Sequence, residues 1–174
     1  MIMLTERQKK WINNLSDEDK IEILPFDETS IEKFNEIKDN IGNSLGKEIK
    51  VEHHGSTSLG IAGQNEIDIF IPLPPNEFYL KTLVAELSEL FGSPKSVHKT
   101  RIRFQIFKDS KKIDIFLIDE NSKGWLDGLK FEEYLKTHND ALKEYEDLKY
   151  ACIGLSIREF YKKKLEYINK ILSY

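Results

Sequence analysis

The sequence predicts an α+β fold: one mixed β-sheet flanked by helices, with a helical cap at the C-terminal end, in a single domain spanning residues 1–174. Three observations predict it. Glu66 to Ile71, Thr100 to Phe107 and Lys112 to Ile118 alternate polar and apolar residues, as strands buried on one face do. The stretches before and between them repeat apolar residues at helical spacing. From Gly124 onward only the helical pattern remains.

Taken in order, Thr5 to Leu15 forms a short amphipathic helix with Trp11, Ile12 and Leu15 on one side, and Ser16 caps the polar turn after it. Ile21 to Leu24 is a short strand or extended arm that stops at Pro25. Asp27 to Ser30 offers several N-caps for a helix carrying Ile31, Phe34, Ile37, Ile41 and Leu45 on its apolar stripe, closed by Gly46. A strand at Ile49 to Glu52 follows, then a tight turn, then a short helix from Ser58 or Leu59, then the strand Glu66 to Ile71. Pro72, Pro74 and Pro75 end that strand. Asn76 caps a helix with Leu80, Leu83, Val84, Leu87 and Phe91 on one face, up to Gly92. Ser93-Pro94 is a loop. Lys108 to Lys111 is a hairpin turn joining the last two strands in the same sheet. Helices at about Leu126 to Lys136, Asn139 to Ala151 and Ser156 to Leu172 complete the chain, whose core runs from about residue 21 to 172 behind the N-terminal helix 5–15.

At 40% apolar and 32% charged residues the chain can bury a proper core. It has no apolar run of signal-peptide or bilayer length, so a soluble, cytoplasmic protein without membrane partners is expected. The single Cys152, between Ala151 and Ile153, reads as a packing thiol. A formal net charge of -4 argues against broad, sequence-independent nucleic-acid binding while leaving room for a local basic site.

The chemistry concentrates between Val51 and Ile71. Gly55-Ser56-Thr57-Ser58 is a small-residue turn whose N–H groups, with the hydroxyls of Ser56 and Ser58, suit an anion. In the following strand Glu66 and Asp68 share one face, opposite Ile67, Ile69 and Ile71. Asp114, between Ile113 and Ile115, points away from its apolar neighbours in the same way. If the two strands are adjacent, about 4.8 Å apart, three carboxylates converge, a donor set for a hard divalent ion shared with phosphates. Strand carboxylates are also the ordinary wet face of a sheet; the turn and the third acid are what favour a site. Arg101 and Arg103 lie on one strand face within a basic run from Lys95 to Lys112 that only Asp109 opposes. A phosphate-bearing ligand and an ordinary solvated hairpin explain that run equally well. His53 and His54 point to opposite faces of a continuing strand, which suits turn stabilisation better than shared ligation of a metal. Tyr134, His138 and Tyr145 recur at helical spacing, as core packing or as cleft lining, and Lys164 reads as a surface lysine that can also reach a phosphate.

These features resemble the nucleotidyltransferase superfamily: Gly55-Ser56, then nine residues (57–65), then Glu66-Ile67-Asp68, then Ile113-Asp114-Ile115. Within it the chain is most similar to the GrpB family, through Glu52-His53-His54-Gly55-Ser56-Thr57-Ser58, Ile67-Asp68-Ile69, Phe131 to His138, Ala141, Tyr145, Leu148-Lys149 and the last helix with Lys164, Tyr167 and Ile168. The likeness runs from about Ile21 to the end. It departs at Leu59-Gly60-Ile61, where an apolar-Pro-Gly step is usual, at Asp114-Ile115-Phe116, where histidines are common, and at Glu66, usually apolar. The last two changes move the chain toward the three-acid pattern. The resemblance implies a nucleotidyltransferase-like fold and a Mg2+-dependent transfer (Mn2+ also suitable) of a nucleoside monophosphate from an NTP to an acceptor that the sequence does not name. Glu66, Asp68 and Asp114 would be the catalytic and metal-holding residues. Gly55, Ser56, Ser58, Arg101 and Arg103 would bind the nucleotide. The alternative it implies is a non-catalytic domain that binds a nucleotide or coenzyme A precursor, because some domains of this family are attached to dephospho-coenzyme A kinases.

Overall fold

A computed structural model describes residues 4–173 of the chain. Its contacts separate into two compact units. One comprises Phe26–Gly60 and Asn65–Leu126; the other comprises the chain up to Pro25, Ile61–Gln64 and the chain from Asp127 on.

The first unit is a five-stranded mixed sheet with helices. In chain order it contains α2 (Thr29–Leu45), β1 (Glu52–His54), α3 (Gly55–Ser58), β2 (Glu66–Pro72), α4 (Glu77–Phe91), β3 (Ser96–His98), β4 (Arg101–Lys108), β5 (Lys111–Ile118) and the start of α5 (Lys123–Thr137). The strand order is β1-β2-β5-β4-β3. Only β2 and β5 run parallel; the other pairs are antiparallel. β-Branched and aromatic residues at every second position give each central strand one dry face. Ile67, Ile69, Ile71, Ile113, Ile115 and Leu117 are almost wholly buried, and they pack with Ile102 and Phe104 against Phe34, Ile37 and Ile41 of α2 and Leu83 and Leu87 of α4. Two residues, Asp109 and Ser110, turn β4 into β5, both at positive φ (48° and 64°), as the primed hairpin turns require. The turn is tied to α2 by Lys33–Asp109 and Lys108–Glu36. At the rim of the dry face the buried Lys111 reaches Asp27 at 2.7 Å and Asn65 Oδ1 at 2.8 Å.

The second unit is helical: α1 (Glu6–Asn13), the rest of α5, α6 (Asn139–Tyr150) and α7 (Ile157–Leu172). Capping boxes start α1 (Thr5 with Gln8) and α7 (Ser156 with Glu159). The segment after α1 is an extended arm, bridged at Lys20 to Ser156 and at Leu24 to Gly63. It buries Ile21 and Ile23 with Ala62, Cys152 and Phe160. Glu146 accepts the Ala62 N–H at 2.7 Å, and the buried Lys149 donates to the Ala62 carbonyl at 2.8 Å, so one turn of α6 holds both backbone polar groups of that residue. Tyr145 stacks on Tyr167 and meets the edge of Phe131, which makes it core; Tyr134 stacks on His138 within the same helical region. Lys164 is part-buried against the Tyr161 ring rather than a free surface lysine.

Four local expectations are corrected. The first strand covers Glu52–His54 instead of Ile49 to Glu52, because Ile49 and Val51 are packed as approach residues. The short helix begins at Gly55 rather than at Ser58 or Leu59: the small-residue turn is itself the helix. The stripe of α2 starts at the buried Ser30, leaving Ile31 exposed. The edge strand β3 falls just after the expected Ser93-Pro94 loop, in a stretch to which no element was assigned; three residues are too few to show an alternation.

Candidate functional site

The face of the sheet opposite the isoleucines is a ladder of polar and aromatic side chains, and the strand registers fix its rows. Glu66, Lys112 and Phe107 form the first row. His54, Asp68, Asp114 and Gln105 form the second, Glu52, Phe70, Phe116, Arg103 and Ser96 the third, and Pro72, Ile118, Arg101 and His98 the fourth. Neighbours within a row stand about 4.8 Å apart, and successive rows about 6.6 Å. The convergence expected of Glu66, Asp68 and Asp114 is present: each offers a carboxylate oxygen within 4.8 Å of the others. It exists because β2 and β5 pair in parallel with Asp68 directly opposite Asp114.

The three acids differ in surroundings. Asp114 is 3% exposed. Arg103 grips it with a two-point fork, Nε to Oδ1 and Nη2 to Oδ2, both at 2.9 Å, and Gln105 Nε2 donates to Oδ1 at 3.0 Å. With two donors on Oδ1 and one on Oδ2, the uncommitted acceptor capacity of Asp114 lies at Oδ2. Glu66, part-exposed, is ion-paired with Lys112, whose ammonium also stands 3.8 Å from Asp114 Oδ2. Asp68 is part-exposed and lies against Gly55. A Cβ built on Gly55 would sit 2.4 Å from Asp68 Oδ2, and Gly55 has φ +77°, so conformation and space both demand glycine there. The carboxylates of Glu66, Asp68 and Asp114 could together hold a hard divalent ion, provided that Lys112 gives way.

The turn is braced from within. Ser58 Oγ donates to the Gly55 carbonyl at 2.8 Å, so the Ser58 hydroxyl closes the turn. The buried Thr57 donates to the Glu66 carbonyl at 3.3 Å and lies 2.9 Å from His53 Nε2, while the His53 ring stacks on Phe34 at 4.6 Å. His54 takes the other face, buried between Phe70 and Trp125. The two histidines therefore do diverge, and His53 stabilises the turn.

Of the two arginines, Arg103 is engaged by Asp114, whereas Arg101 lies over the Phe116 ring at 5.6 Å. Burial and then the neighbouring Arg103 push the Arg101 guanidinium below its usual pKa, with Asp114 opposing. The basic run is largely committed to carboxylates: Arg103 to Asp114, Lys108 to Glu36, Lys111 to Asp27 and Lys112 to Glu66. Residue-by-residue reading did not assign Lys112 or Gln105 a place at the site. Both were visible as polar positions of alternating strands, but their partners follow only from the pairing between strands.

No helix among the described residues is long and apolar enough to cross a membrane. Among curated proteins none matches the chain. Among solved structures, the crystal structure of Leishmania infantum polymerase beta in a ternary P/T complex is similar at 17% identity with a TM-score of 0.41, over 65% of this chain and 53% of that one. The chain thus spans about half the length of that protein. The family model described as GrpB protein matches residues 20–174, nearly the whole sequence, and the chain belongs to the GrpB family.

Proposed function

We propose that this protein is a divalent-cation-dependent nucleotidyltransferase, moving a nucleoside monophosphate from an NTP to an acceptor hydroxyl. The observation that carries the reading is the meeting of three carboxylates within 4.8 Å on the open face of the sheet, with Gly55 directly against Asp68. Mg2+ or Mn2+, held by Glu66, Asp68 and Oδ2 of Asp114, would supply charge neutralisation for the phosphates. Gly55, Ser56 and the rest of the turn hold the β- and γ-phosphates beside Asp68. Lys112, drawn off Glu66, remains in the first row as a cation for the phosphate chain. The acceptor oxygen bonds to the α-phosphorus, the bond from that phosphorus to the α,β-bridging oxygen breaks, and pyrophosphate leaves with the bonding pair. The acceptor proton leaves to solvent; with its spare lone pair given to the ion, Asp114 would help position the acceptor hydroxyl rather than take its proton. Arg103 and Gln105 keep the Asp114 carboxylate from rotating during that transfer.

A second reading, a non-catalytic domain that binds a nucleotide or coenzyme A precursor, is favoured by one observation: Arg103 and Gln105 already take most of the acceptor capacity of the buried Asp114. Thermal unfolding with each NTP and with coenzyme A precursors, with and without Mn2+, separates the two, because a bound ligand stabilises by RT ln(1 + [L]/Kd). The transferase reading expects stabilisation by an NTP that needs the metal and disappears in Asp68→Asn, while the unliganded variant melts near the wild type. Stabilisation indifferent to the metal, or retained by Asp68→Asn, would replace it with the second reading.

A further inference from the structure

We propose that the β4 strip of the polar face, from Arg101 to Phe107, is the acceptor subsite of this transfer, and that it takes an acceptor built as a nucleotide unit, a planar ring with a phosphate. The inference rests on the transferase reading and names its missing substrate class.

The placement follows from the direction of attack. In phosphoryl and nucleotidyl transfer the entering and leaving oxygens lie roughly in line on opposite sides of the phosphorus. The leaving pyrophosphate is assigned to the Gly55 turn, which follows β1 at one edge of the ladder. From that edge the order is β1, β2, β5, β4, with Asp68 on β2 and Asp114 on β5. An acceptor oxygen opposite the turn therefore arrives over β5 from β4, the strand whose Gln105 is the row neighbour of Asp114.

Two side chains of that strip have no evident role in the fold. Among the described residues, Arg101 is the one cation of β4 and β5 whose charged group makes neither a hydrogen bond nor an ion pair; it rests on the ring of Phe116, a residue of the row next to the acids. Phe107, in the first row beside Lys112, is 74% exposed and makes no ring or cation contact with any described side chain. Asp114 and Gln105 lie between them. An uncommitted guanidinium suits a phosphate by a two-point fork, and a bare ring suits a flat heterocycle by stacking.

Metal-free binding of adenosine 5′-monophosphate, by calorimetry, and of a short dye-labelled single-stranded oligoribonucleotide, by fluorescence anisotropy, tests this on the full chain. Wild type should bind at least one of them. Arg101→Gln should weaken binding about tenfold or more and flatten its salt dependence, as loss of a charge-assisted contact does. Phe107→Ser should weaken it about tenfold, the scale of one lost base stack. Phe78→Ser is the control: Phe78 is equally exposed, at 73%, but belongs to α4, which packs against the apolar face. It should leave binding unchanged. Preference for the oligonucleotide identifies a polynucleotide end as the acceptor, and equal affinity identifies a free nucleotide. No binding to the wild type, or binding that ignores both Arg101 and Phe107, overturns the proposal. Manganese-dependent NTP binding measured on the same protein tells that failure apart from failure of the transferase reading itself.

Discussion

The two faces of β2, β5 and β4 are made from the same strands, yet each treats its one buried charge differently. On the dry face, Lys111 sits at the rim and is answered from outside the sheet, by Asp27 before α2 and by Asn65 before β2. On the polar face, Asp114 sits in the middle of the sheet and is answered from within it, by Arg103 and Gln105 of the next strand. The rim charge fastens the hairpin to its surroundings through Asp27, an acid outside the cluster of three. The central charge holds a carboxylate in a fixed pose where two other acids can reach it. A charge at the rim is thus architecture, whereas a charge at the centre, held by neighbours that can be re-partnered, is the kind of place where chemistry is possible.

Substitutions can break that contrast. Ile115→Ala, on a wholly buried residue of the dry face, should cost about 3 kcal/mol in urea unfolding and leave the metal-dependent NTP affinity of the folded protein alone; a change in affinity would mean that the faces are not separable. Arg103→Met strips the fork from a buried carboxylate and should cost about 2–4 kcal/mol. Adding Asp114→Asn to it should recover part of that loss, a pattern that a merely exposed pair would not give. Gly55→Ala forces a side chain into left-handed backbone and against Asp68. It should cost about 1–2 kcal/mol and remove NTP binding, read by melting temperature with and without ligand. The smallest effect belongs to the rim. The Lys111 ammonium, with help from Thr29, holds the Asp27 carboxyl down to about 2 from a usual 3.8. A depressed carboxyl stabilises the fold above its unfolded pKa and loses that contribution as the group protonates. Acid unfolding should therefore steepen between about pH 4 and pH 2 in the wild type, and Asp27→Asn should flatten that limb without altering NTP binding at neutral pH.

Much of this was legible in the sequence because a strand repeats every two residues. Alternation alone put Glu66, Asp68 and Asp114 on the face opposite their isoleucines, and helical spacing placed α2, α4, α6 and α7. What escaped was long-range or very short. The hold of Arg103 on Asp114 depends on the antiparallel register of β4 and β5, and that of Lys112 on Glu66 depends on two parallel strands whose paired residues stand 46 positions apart in the chain (112 minus 66). β3 and α3 span three and four residues, fewer than any periodicity needs to declare itself. The exposed Ile31 and the buried Ser30 show the same limit within a helix, where a stripe can begin one residue early.

The hairpin turn at Asp109 and Ser110 imposes parity on the molecule. Because β5 is sandwiched between β2 and β4, a shift of its pairing by a single residue would carry Asp114 into the oily side and lift Ile113 and Ile115 into water. Core and site would then be lost in one stroke, with no partly working intermediate. Insertions or deletions at that connection should be tolerated only when they conserve the odd–even phase of the strand, so the evolutionary freedom of this loop is quantised in steps of two.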